Sequence, residues 1–103
     1  MTTQKQDRIA EATERSVDFT TIVLSLRHVA LLSLGLVEDE SVEAFPPDAA
    51  ACRMQIDMLE VLKEKTVGNL TDDEQKLLDS VLYELRMAFV QHCERTRAVK
   101  SKA

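Results

Sequence analysis

Four side chains in this 103-residue chain have the chemistry of soft metal ligands or thiol nucleophiles: His28, His92, Cys52 and Cys93. Their spacing matches neither a zinc site nor a dithiol redox motif. His92 and Cys93 are adjacent, so on a helix they point about 100° apart and do not make a site on their own. His92 is read as a satisfied histidine at the end of a helical bundle, and His28 as a flank or interface residue. No metal ligand and no cofactor are assigned.

Catalytic constellations are equally hard to build. The chain has only 2 Gly and no Gly-rich phosphate loop, and no nucleophile stands beside a base. Carboxylates are plentiful, but Asp57, Glu60 and Glu64 fall on one solvated helical stripe rather than around a pocket. Without convergence they are not acid–base candidates. The expectation is a protein that is not an enzyme.

Two cysteines without a secretory signal are expected to remain thiols in a reducing cytoplasm. The opening MTTQKQDR lacks the apolar core of a signal peptide. The sequon Asn69-Leu70-Thr71 is then an accident of a turn. Val17 to Val37 approaches the length of a membrane span, but Arg27 and His28 sit at its middle. An arginine there costs roughly 2.5 to 3.5 kcal/mol on insertion scales. A buried or interface helix accounts for the segment better, so no membrane partner is expected. The net charge of −5 argues against nucleic acid as a general partner.

Few Gly and Pro, few aromatics and an aliphatic apolar complement favour long helices over a sheet. The expected organisation is a flexible polar segment over residues 1–16, a helical domain over 17–96 and a basic tail over 97–103. The tail holds Arg97, Lys100 and Lys102, with Arg95 just before it. It reads as a solubilising helix end with charges that suit the dipole. The alternative is a contact with nucleic acid or with an acidic partner such as the chain's own Glu38–Glu43 loop.

A first helix begins at Asp18 or Ser16 and ends at Gly35, with Phe19, Ile22, Val23, Leu26, Val29, Ala30 and Leu34 on its main face. Leu24, Leu31 and Leu32 fall elsewhere. An acidic loop follows and closes with Phe45-Pro46-Pro47, where Phe45 could tuck onto the bundle end. A second helix, capped by Asp48, runs to about Val67 with Cys52, Ile56, Leu59 and Leu62 as its seam. Gly68 ends it. Thr71 to Glu74 form a capping box that opens a third helix reaching about Thr96. Its main face is Leu78, Val81, Leu82, Leu85, Ala88, Phe89 and His92, and Tyr83, Met87 and Val90 form a second stripe.

The tight Gly68-Asn69-Leu70 turn makes the last two helices an antiparallel hairpin. Cys52 is then level with Met87 and Ile56 with Tyr83, which sets Cys93 roughly 9 Å beyond Cys52 along the axis. A disulfide is therefore not expected. The same levels put Met54, Met58, Tyr83 and Met87 at similar heights, on one flank of the hairpin.

A core-facing helix needs roughly three apolar residues in seven. Phe19–Leu34 has 10 in 16 and Leu77–Val90 has 10 in 14, so both exceed what a three-helix core can absorb. The excess predicts a homo-oligomer, expected as a dimer, with Leu24, Leu31, Met54, Met58, Tyr83, Met87 and Val90 as interface candidates. A groove for another helical protein is the alternative use of that surface. The functional expectation is a non-catalytic interaction or scaffold module. Alternatives are a small-molecule or metal binder with an interface cleft, or a nucleic-acid-associated regulator acting through the tail.

Ile56-Asp57-Met58-Leu59, Gly68-Asn69-Leu70-Thr71 and Leu82-Tyr83-Glu84-Leu85-Arg86-Met87-Ala88 resemble a bacterial domain-of-unknown-function family of short helical proteins. Asp18-Phe19-Thr20-Thr21 with Leu34-Gly35-Leu36 is similar to that family's first helix. Arg27-His28 and the acidic FPP loop depart from the pattern. The resemblance implies a cytoplasmic bacterial helical protein and brings no activity with it.

Overall fold

In the computed structural model the described residues are 17–41 and 46–102. The expectations for residues 1–16 and for Phe45 lie outside them. Three helices are present and no strand among the described residues: α1 (Phe19–Ser33), α2 (Ala49–Lys65) and α3 (Asp72–Lys102). Each packs against the other two. The all-α hairpin with a third helix laid against it is the observed architecture.

Local chemistry fixes the boundaries. The Asp18 carboxylate accepts from the Thr21 backbone N–H and from its hydroxyl, both at 2.8 Å. These bonds to the first turn of α1 hold the Asp18 carboxyl below its ordinary range, the backbone donor contributing most. At the other end Gly35 adopts φ +72°. Its N–H donates to Leu32 O, and the Leu36 N–H donates to Leu31 O, the paired bonds of a Schellman motif. Only this left-handed step lets the chain turn off α1 while satisfying those carbonyls.

The loop from α1 returns almost to where it left. Asp48 N–H donates to Ser33 O at 2.7 Å, while the Asp48 carboxylate caps α2 through the Ala51 N–H. Helix α2 closes on Thr66, whose hydroxyl and N–H both reach Leu62 O. After Gly68, at φ +76°, the capping box forms in both directions: Glu74 N–H to the Thr71 hydroxyl, and Thr71 N–H to the Glu74 carboxylate. The sequence signature and the geometry coincide.

The core is one cluster shared by all three helices. Val23, Ala30 and Leu31 come from α1, followed by Leu34; Cys52, Ile56 and Leu59 from α2; Leu78, Val81, Leu82 and Leu85 from α3. Gln55 is buried with them, and among the described residues no buried side-chain nitrogen or oxygen lacks a partner. Of the seams expected on α2 and α3, Cys52, Ile56, Leu59, Leu78, Val81, Leu82 and Leu85 are buried, Leu62, Ala88 and Phe89 pack against them partly buried, and His92 lies outside the cluster.

Two expectations are corrected. The inward face of α1 is rotated by roughly 60° from the sequence-derived one, taking the helix at 100° per residue. Ile22 and Val29 are exposed and Leu31 is buried. The core is shared with both α2 and α3, which turns Val23, Ala30, Leu31 and Leu34 inward, and the Arg27–Glu84 pair flanks that face. Second, α3 continues six residues past Thr96, through Lys102. No Gly or Pro follows Gly68, and cations at a helix C-terminus oppose the dipole charge there.

Candidate interaction surface

Ion pairs mark how the helices face one another. Arg27 Nε and Nη2 donate to Glu84 Oε1 and Oε2 at 2.5 and 2.8 Å, a bidentate pair across the α1–α3 seam. It holds the Glu84 carboxyl below its ordinary range and raises the guanidinium. Across the α2–α3 seam, Lys63 Nζ meets Asp79 Oδ1 at 2.9 Å and Arg86 Nη2 meets Glu60 Oε1 at 2.6 Å. The hydrogen bond from Lys63, then that from Gln75, lowers the Asp79 carboxyl. No ion pair crosses the α1–α2 seam among the described residues.

With the seams located, helical phase places the apolar residues that the core does not use. Met54, Met58 and Val61 occupy the outer side of α2, away from its α3 seam. Tyr83, Met87 and Val90 occupy the side of α3 opposite its buried leucines. Tyr83 is 68% exposed and Met54 61%. Leu24, Ile22 and Val29 are exposed on α1, Leu24 about 150° round the helix from the other two.

Six of the seven residues expected at an interface are therefore on the surface. Leu31 is not: at 6% exposure it belongs to the core, because α1 shares that core with both α2 and α3. The expected single flank carrying Met54, Met58, Tyr83 and Met87 is also corrected. The α2 and α3 stripes point away from their shared seam, and α1 lies between their inner sides. Ile22 and Val29 are additions to the exposed apolar set. No local pattern in the sequence signals them, because their exposure depends on where α2 and α3 pack against α1.

The histidines and thiols are dispersed. His28 Nε2 lies 3.0 Å from Asp39 Oδ2, a contact within the α1 end and its loop. Asp39 also accepts from the Ser41 hydroxyl and N–H. Hydrogen bonding from Ser41, then from His28, lowers the Asp39 carboxyl to about 2. Cys52 is buried and Cys93 exposed, both as free thiols. Burial, with a smaller contribution from the nearby Cys93 thiol, pushes the Cys52 thiol up. His92 and Cys93 line an open cavity of about 300 Å³ with Ala49, Thr96 and Arg97, where the start of α2 meets α3. Among the described residues no three His, Cys, Asp or Glu side chains are grouped to hold a metal ion. No described helix is long and apolar enough to cross a membrane.

Among the described residues, the fold is a three-helix arrangement with apolar side chains outside its core. The chain belongs to the family described as domain of unknown function DUF1844, whose model matches residues 16–91. The match spans all of α1 and α2, the capping box and α3 as far as Gln91, so both the hairpin and the exposed stripes lie within it. Comparison with curated proteins and with solved structures found no match.

Proposed function

We propose that this protein is a non-catalytic helical interaction module that self-associates, as a dimer, through apolar side chains left outside its core. The supporting observation is the set of large apolar residues exposed on all three helices, with Leu24, Met54, Met58, Tyr83, Met87 and Val90 prominent among them. Monomeric soluble proteins rarely leave contiguous apolar patches above a few hundred Å² in water, and a second subunit removes them at little sequence cost. Methionine suits such a surface because its unbranched thioether fits irregular neighbours.

The same reading gives the protein no cofactor and no catalytic residue, and sets it in a bacterial cytoplasm, where Cys93 stays reduced. Its partner is a second copy of itself. Sedimentation equilibrium or light scattering at micromolar concentration tests this. A mass near twice 11.6 kDa is expected. A monomer at every concentration overturns the reading and turns the same surface into a groove for a different helical protein.

A further inference from the structure

Helix α3 carries a charge pattern on the face it turns away from the core. At 100° per residue Asp72, Lys76, Tyr83, Met87, Val90 and Glu94 fall within an arc of about 60°. That arc is opposite Leu78, Val81, Leu82 and Leu85, and these residues on it are exposed. Among the described residues neither Lys76 nor Glu94 has an ion-pair partner. The stripe is thus three apolar residues with Lys76, preceded one turn earlier by Asp72, at one end and Glu94 at the other.

Such a stripe is complementary to itself in one direction only. Laid against its own copy in parallel, Lys76 would meet Lys76 and Glu94 would meet Glu94. Laid antiparallel with Met87 on Met87, Tyr83 faces Val90, and Lys76 falls level with Ala98 of the other copy, about 6 Å or one turn along the axis from its Glu94 and within reach of a lysine side chain. Opposed macrodipoles add in the same sense. The exposed residues of α1 and α2, Ile22, Val29, Met54 and Met58, carry no comparable pattern.

We infer that a second copy of this chain docks antiparallel along the outer face of α3, with Met87 at a two-fold axis and Lys76 of each copy on Glu94 of the other. This inference rests on the self-association proposed above and names its surface and geometry. An isologous contact of this kind is closed, so it yields a dimer rather than a filament. Tyr83 supplies the large amphipathic side chain that interface centres favour.

Three variants of the full chain test it by sedimentation equilibrium. Met87→Asp places two carboxylates at the axis and is expected to raise the dimer dissociation constant by about tenfold or more. The equivalent change on α2, Met54→Asp, leaves it unaltered. Lys76→Glu weakens the dimer, and adding Glu94→Lys restores it, because the pair is then reversed rather than removed. Circular dichroism confirms that each variant is folded.

Orientation is read by pulsed electron spin resonance with a nitroxide on Asp73→Cys in a Cys93→Ser background. The antiparallel pair puts the two labels about 40 Å apart, from the 1.5 Å rise per residue. A separation under about 20 Å is the parallel arrangement and overturns the geometry. A dimer that survives Met87→Asp, or a reversed charge pair that fails to restore Lys76→Glu, overturns the surface while leaving self-association standing. A chain that is monomeric throughout overturns both.

Discussion

Arg27 ties α1 to α3 across their seam. A charged side chain in the middle of an apolar helix invites the reading that its face is solvated. Here it lies beside the buried face because Glu84 takes both guanidinium nitrogens. The pair is about a third exposed on the arginine side and more on the glutamate side, so screening discounts it. A double-mutant cycle with Arg27→Met and Glu84→Gln is expected to give a coupling of about 0.5 to 1 kcal/mol. Coupling indistinguishable from zero would show that the pair adds nothing to the α1–α3 seam in solution.

Asp39 supplies a pH-dependent contact at the same scale. Its carboxyl sits at about 2 in the folded chain, below the ordinary value of 3.8. Because the folded value is depressed, the ionised form is favoured by folding. The stabilisation is present above the ordinary value and is lost as pH falls toward 2. The carboxyl resonance of Asp39 should titrate with its midpoint near 2, and Asp39→Asn should flatten the decline in stability between about pH 4 and pH 2. A midpoint near 4 would mean the Ser41 and His28 contacts do not persist in solution.

Among the elements, α2 and α3 were the most legible in the sequence. The Thr71–Glu74 capping box and the Cys52-Ile56-Leu59 seam depend on residues within one or two turns of each other, and local chemistry suffices for them. Helix α1 was legible in extent, from Asp18 to Gly35, but not in rotation. Rotation depends on where α2 and α3 pack against the helix, which no local pattern encodes. Periodicity alone therefore puts Leu31 on the surface and Ile22 and Val29 in the core. The outer stripe of α3 was visible as residues, but its meaning required knowing which side of α3 the other helices cover.

The terminus of α1 gives a prediction at this scale. Gly35 holds φ +72°, and a Cβ there would meet only Pro47 Cγ at an ordinary 3.8 Å. Conformation rather than space is what excludes other residues. Gly35→Ala should therefore destabilise by about 1 to 2 kcal/mol, the cost of a left-handed alanine. Urea unfolding measures it, and a change near zero would show that the α1 terminus relaxes into another turn.

As a whole molecule the protein depends on one small core, to which every helix contributes. Leu59 is fully buried within it. Leu59→Ala should cost about 2 to 5 kcal/mol, a large share of what a domain of this size has available. Thermal unfolding followed by circular dichroism is expected to remain a single transition at lower temperature. Separate transitions for α1 and the hairpin would show that the three helices are not one cooperative unit.

The hydrogen bond from Asp48 to Ser33 has a consequence for how this chain tolerates change in length. That bond ties the start of α2 to the end of α1 by backbone atoms, while Val37 packs on the core and Asp39 meets His28, so the helix packing is anchored on both sides of residues 42–45. Doubling such a loop adds only about 0.6 kcal/mol of closure entropy. A short epitope or reporter peptide inserted after Ser41 would leave the three-helix scaffold in place, making this excursion the natural port for labelling the protein without disturbing α3.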